Sequence, residues 1–164
     1  MYKVYFLINN ITGDNVIKDI MSKKIIFASI NDSVKDISKL MKDNNIGFIP
    51  IKSEDKYVGV ITDRDIALNI VELKSINDSI KSYITNNIIY IDVDSTIDEA
   101  LSLMSKYKIK RLLVKDKDSI IGVLSLSDIL NYSNSDNIIK TYKTIFYIHN
   151  NDVYKDVEID SFYL

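Results

Sequence analysis

Apolar residues along this chain fall into short runs separated by polar turns, and the pattern of runs occurs twice. Residues 1–8 form a β-like run rich in aromatic and branched side chains, which the turn chemistry of residues 11–15 ends. From residue 16 the first of two similar units begins. An apolar run at residues 25–28 predicts a strand, and Val34, Ile37, Leu40 and Met41 then fall on one face of a helix. Ser33 with Asp36 three residues on is a near capping box, and the helix is expected to stop at Asn44-Asn45. Two further apolar runs, 46–51 and 57–61, flank the polar loop 52–56 and read as a β-hairpin. The stretch Gly59-Val60-Ile61-Thr62-Asp63-Arg64-Asp65-Ile66 then hands a strand over to a second helix.

That stretch has a second copy, Gly122-Val123-Leu124-Ser125-Leu126-Ser127-Asp128-Ile129, 63 residues later. The same offset brings Ile17-Lys18 onto Ile80-Lys81, Leu40-Met41 onto Leu103-Met104, Ile46 onto Ile109 and Lys52 onto Lys115. No insertion or deletion interrupts the match between residues 16–70 and 79–133, and about a quarter of the aligned positions are identical. The chain is a tandem duplication. In the second unit Thr96 and Glu99 supply the capping box before Ile97, Ala100, Leu101 and Met104, and the helix is expected to end near residues 106–108.

Each unit therefore reads β-α-β-β-α, an α/β (α+β) fold in which both helices can cover one face of a three-stranded sheet. A unit of about 55 residues buries little surface alone. Two such units packed sheet to sheet about a pseudo-twofold axis remedy this, and leave two related clefts, each with one copy of the repeated motif at its mouth. The expected organisation is an extension at 1–15, units at 16–71 and 79–134, and a C-terminal segment at 135–164. In that segment Asn134-Ser135-Asp136 caps a helix with Ile138, Ile139, Tyr142, Ile145 and Phe146 as its apolar face, broken at Asn150-Asn151-Asp152. The remainder reads as a tail lying against the module, or as a docking segment for another protein.

Composition narrows the function. The net charge of −2 and scattered Lys and Arg leave no footprint for nucleic acid. No Cys is present and His149 is the one His, so neither a disulfide framework nor a transition-metal site is expected. The opening apolar run is too short to span a membrane and lacks the cleavage pattern of a signal peptide, so the expected setting is the cytoplasm. No nucleophile stands with a base and an orienting acid, and no catalytic residues or catalytic cofactor are expected. Met21, Met41 and Met104 read as core filler.

The paired Gly-apolar-apolar-Thr/Ser-x-x-Asp-apolar motifs, the Asp/Asn-Ser/Thr helix starts leading to Leu-Met, and Ile49-Pro50-Ile51 with Leu112-Leu113-Val114 together resemble a tandem pair of cystathionine-β-synthase (CBS) domains, often called a Bateman module. The resemblance covers about residues 16–133. It implies a regulatory module that binds an adenine nucleotide (AMP, ADP or ATP) or an adenosyl ligand such as S-adenosylmethionine, and that forms a homodimer.

The chemistry of the motif suits that use. Asp65 or Asp128 can accept two hydrogen bonds from a ribose diol. Thr62 and Ser125 place hydroxyls at helix starts, where backbone N–H groups favour phosphate. Apolar strand residues, Ile26, Ile49, Pro50 and Ile61 in one unit and Ile89, Leu112 and Leu124 in the other, are expected to sandwich the base. Arg64, Lys110 and Arg111 are the candidate phosphate ligands; Arg64 and Arg111 lead because a guanidinium can fork to two oxygens, whereas Lys110 also reads as a solvated strand edge. Their repeat counterparts are Ser127, Gly47 and Phe48, so the two clefts are expected to be unequal. Thr-x-x-Asp is also the signature of a helix cap, and a second reading keeps the module as a structural dimerisation unit with degenerate clefts.

Overall fold

The computed structural model describes residues 17–69, 76–132 and 136–150. The run at 1–8, the turn at 11–15 and the tail from 151 lie outside them. The elements are α1 (Ile17–Ile20), β1 (Ala28–Ser29), α2 (Val34–Asn44), β2 (Phe48–Ser53), β3 (Lys56–Thr62) and α3 (Asp63–Asn69). A short 3-10 turn at Ile80–Ser82 leads into β4 (Tyr90–Asp92), α4 (Ile97–Tyr107), β5 (Arg111–Asp116), β6 (Ser119–Ser125), α5 (Leu126–Tyr132) and α6 (Asp136–Asn150).

Two three-stranded sheets form, ordered β1-β2-β3 and β4-β5-β6, each with a parallel first pair and an antiparallel hairpin. The duplication extends to backbone detail. Left-handed residues close both hairpins, Glu54 and Lys117, and cap α2 and α4, Asn45 and Lys108. A register shift falls between Ile51 and Lys52 in one hairpin and between Val114 and Lys115 in the other. Both capping boxes are complete: Asp36 accepts from Ser33 N at 3.1 Å as Glu99 does from Thr96 N at 2.8 Å. Hydrogen bonds from Ser33 hold the Asp36 carboxyl below its ordinary value.

Two expectations need correction. The first strand is shorter than residues 25–28, because only Ala28 and Ser29 pair with β2. In the second unit Leu113 N donates to Ile89 O at 3.3 Å, and the ladder starts one residue earlier at Tyr90. The counterpart of Leu113 is Pro50, which has no N–H to give. In α6 the buried stripe is Ile138, Thr141 and Ile145, whereas Ile139 (55% exposed) and Tyr142 (46%) face outward. Spacing of three and four places the former three on one side, against α4.

The two units exchange their leading segments. Ser22 and Val123 of β6 bond reciprocally, N to O at 2.9 and 3.0 Å. Thr85 and Val60 of β3 do the same at 2.8 and 3.0 Å. Ile17 is sealed in the core of the second unit, with Leu101, Met104 and Leu124, and Ile80 in that of the first, with Ile37, Ile49 and Ile61. Such mutual exchange is what a twofold operator produces.

The repeated glycines make the crossing possible. Neither has a positive φ. Instead, a Cβ on Gly59 would stand 2.9 Å from Thr85 O, and one on Gly122 2.9 Å from Ser22 O. Gly59→Ala or Gly122→Ala should therefore lower stability by about 1–3 kcal/mol, the usual cost of overpacking. Urea denaturation midpoints test this; unchanged midpoints would show that the crossing segments shift aside freely.

Candidate functional site

The exchange creates two clefts, and each draws on both units. The first has a volume of about 430 Å³. It is lined by Thr62, Asp63, Arg64 and Asp65 from the end of β3 and start of α3, by Thr85, Asn87, Ile88 and Ile89 from the crossing segment, and by residues 108–111 entering β5. The second, about 260 Å³, is lined by Ser125, Ser127 and Asp128, by Ser22, Lys24 and Ile26, and by residues 45–48 with Pro50. Every residue of the second cleft is the 63-offset counterpart of one in the first.

Both Thr/Ser-x-x-Asp motifs fold as reciprocal caps. Asp65 Oδ2 accepts from Thr62 N at 2.8 Å and from Thr62 Oγ1 at 2.7 Å, while Asp65 N donates to Thr62 Oγ1 at 3.2 Å. Asp128 Oδ2 likewise accepts from Ser125 N at 2.8 Å and Ser125 Oγ at 2.6 Å. Ser125 Oγ also lies 3.0 Å from Ser127 Oγ. In each pair one carboxylate oxygen carries the cap bonds, and Oδ1 enters none of them. The cap and a second acceptor role are thus compatible in the same side chain.

The structure gathers some expected residues and separates others. Thr62, Arg64, Asp65, Ile89, Lys110 and Arg111 share the first cleft. Ser125, Asp128, Ile26 and Pro50 share the second. Ile49, Ile61, Leu112 and Leu124 do not line either cleft: all four are fully buried in the cores beneath the helices. Successive strand side chains alternate in direction, so the face carrying Phe48, Val60 and Thr62 is the one turned to the clefts.

Sequence reasoning missed Ser22 and Thr85, hydroxyl residues at matching positions, and Asn45 and Lys108, the left-handed helix caps. The 63-residue offset relates both pairs, but only the crossing brings them to a cleft. Ile145 of α6 walls the first cleft from outside the repeat, and periodicity gave no hint of that contact.

Charge is distributed more unevenly than the linear order implies. Arg64 belongs to the first unit and Lys110-Arg111 to the second, yet all line one cleft together with Lys108. The second cleft has Ser127, Asn45 and Gly47 where the first has Arg64, Lys108 and Lys110. Its cations are Lys24 and Arg111. Partial burial pushes Lys110 below the ordinary lysine value, the charges of Arg111 and Arg64 push it further, and Asp63 opposes them. Converging like charges destabilise the protein alone and favour an anion between them. Among the described residues, no cluster of His, Cys, Asp and Glu is arranged to hold a metal ion. No helix there is long and apolar enough to cross a membrane.

A family model for the CBS domain matches residues 17–72 and 80–135. Uncharacterized protein YlbB of Bacillus subtilis (strain 168) is 32% identical over 116 residues, covering 69% of this chain and 78% of YlbB. Inosine-5'-monophosphate dehydrogenase of Methanocaldococcus jannaschii is 32% identical over 117 residues, which are 68% of this chain but 22% of that enzyme. Among solved structures, the CBS domain pair of protein MJ0100, in complex with 5-methylthioadenosine and S-adenosyl-L-methionine, is 33% identical with a TM-score of 0.66. The match covers 72% of this chain and 98% of that one. A conserved protein from Pyrococcus horikoshii is 29% identical with a TM-score of 0.68, covering 74% and 94%.

The lowered Lys110 value fixes the sign of a pH effect. A lysine that holds its proton less tightly when folded makes stability rise with pH between its folded value and the ordinary 10.5. In Lys110→Gln that rise should be absent, so the variant's advantage over the wild type narrows as pH climbs through this window, and its melting temperature near neutrality should hold or increase. A variant that melts lower at neutral pH would show Lys110 to be a stabilising group instead.

Proposed function

As this chain belongs to the CBS domain family and carries two such domains in tandem, we propose that it is a non-catalytic regulatory module that binds an adenine nucleotide or an adenosyl ligand in its clefts. The first cleft is the principal site. The observation that carries this reading is the convergence there of Arg64, Lys108, Lys110 and Arg111 with the Thr62–Asp65 pair, in a space of about 430 Å³. That volume falls within the range of small-molecule sites. In this reading Asp65 Oδ1 accepts from the ribose diol, the four cations meet the phosphates, and Ile89 and Ile109 flank the base. The bound 5-methylthioadenosine and S-adenosyl-L-methionine of the MJ0100 pair support the adenosyl class.

The output is proposed to pass through a homodimer or a separate effector protein, and regulation requires the ligand to prefer one arrangement over another. One observation favours the alternative, a structural dimerisation module with degenerate clefts. Thr62–Asp65 and Ser125–Asp128 already serve as helix caps, which accounts for the motif without a ligand.

Thermal-shift measurements with AMP, ADP, ATP and S-adenosylmethionine separate the two. A ligand present at 100 times its dissociation constant stabilises by about 2.7 kcal/mol. No shift with any of them sinks the sensor reading. Asp65→Asn should then weaken ligand binding by about tenfold or more, the value of a charge-assisted bond, with little change in melting temperature. If the substitution mainly lowers the melting temperature, Asp65 is a cap and nothing else.

A further inference from the structure

Arg111 and Phe48 are repeat counterparts, 63 residues apart, and they lie side by side: the guanidinium carbon is 5.9 Å from the ring centroid. A twofold rotation exchanges counterparts, so the midpoint of the pair lies on the pseudo-twofold axis. The pair therefore stands between the two clefts, and both residues line both of them. The other cations are not shared. Arg64, Lys108 and Lys110 line the first cleft, and Lys24 the second.

We propose that Arg111 is a guanidinium held in common by the two clefts, so that an anionic ligand in one withdraws it from the other and the chain holds one such ligand at a time. This rests on the adenine-ligand reading and adds to it a coupling between the sites.

The physical argument has three parts. A planar guanidinium can fork to one phosphate group, and it cannot do so at two separated sites at once. A weak cation–π contact with Phe48, at the edge of its range, holds the group near the axis, and a charge-assisted bond on either side can outcompete it. Finally, the surrounding charge makes the choice one-sided. Lys110 and Arg111 repel one another, Arg64 adds a like charge to the same cleft, and an anion bound there reverses the field. The second cleft, without Arg111, then retains Lys24 as its cation and suits a ligand that lacks phosphate charge.

Isothermal titration of the full chain with ATP tests this. The wild type is expected to saturate at one ATP per chain. Phe48→Arg places a second guanidinium at the symmetry-related position and is expected to raise this to two. Arg111→Met should weaken ATP at least tenfold while leaving the binding of adenosine, which has no phosphate, unchanged. If Phe48→Arg does not fold, Ser127→Arg supplies the missing guanidinium of the second cleft from an exposed position and should also give two. Two independent ATP events in the wild type overturn the proposal. So does a folded variant of either kind that remains at one. Both results leave the adenine-ligand reading standing, whereas a wild type that binds none of ATP, AMP, adenosine or S-adenosylmethionine removes that reading and this one together.

Discussion

The architecture depends on one pair of contacts, the reciprocal backbone pairing of Ser22 with Val123 and of Thr85 with Val60. Each contact carries the leading segment of one unit onto the sheet of the other. Each requires that the strand it crosses have no side chain at one point, which Gly59 and Gly122 provide. Once the segments cross, Ile17 and Ile80 complete cores that belong to the opposite units. Neither unit then has a complete core of its own, and a chain of this size gains the burial that a unit of about 55 residues lacks.

The same crossing composes the clefts. Because the segment at residues 85–89 and the entry to β5 meet the start of α3, the first cleft is half of one unit and half of the other. Basic residues far apart in the chain, Arg64 and Lys110-Arg111, become neighbours. Partial burial, and after it the charges of Arg111 and Arg64, lower the value of Lys110, and together they are an energetic cost to the protein alone. Structure that keeps such a cost usually does so at a functional site. The other cleft, built by the same fold with Ser127, Asn45 and Gly47 in place of Arg64, Lys108 and Lys110, escapes the cost and keeps only Lys24 and Arg111 as cations.

The departures from symmetry are local and have local causes. Pro50 lacks the N–H that Leu113 donates, so β1 starts one residue later than its counterpart β4. The C-terminal helix covers α4 through Ile138, Thr141 and Ile145, and its last described core residue reaches the first cleft. The first unit has no counterpart of that helix among the described residues. Symmetric ancestry and unequal chemistry thus coexist because a few substitutions alter charge and packing without disturbing the exchanged backbone.

By itself the sequence determined the duplication, the β-α-β-β-α order that follows each unit's leading helical turn, the capping boxes and the motif residues. These are written in local periodicity and in a constant offset, neither of which needs long-range contacts to be seen. Thr62, Asp65, Ser125 and Asp128 were identifiable because a helix start demands particular residue types at fixed spacing. Ile49, Ile61, Leu112 and Leu124 were misassigned to the clefts because a short apolar run does not show which side chains face the helices. Only the tertiary structure decided that the cations of both units share one cleft, that Ser22, Thr85 and Ile145 line the sites, and that Arg111 meets Phe48 on the axis. The reason is physical: these pairings are made by segments that cross between units, and a crossing is set by the packing of two complete sheets rather than by any neighbour in the chain.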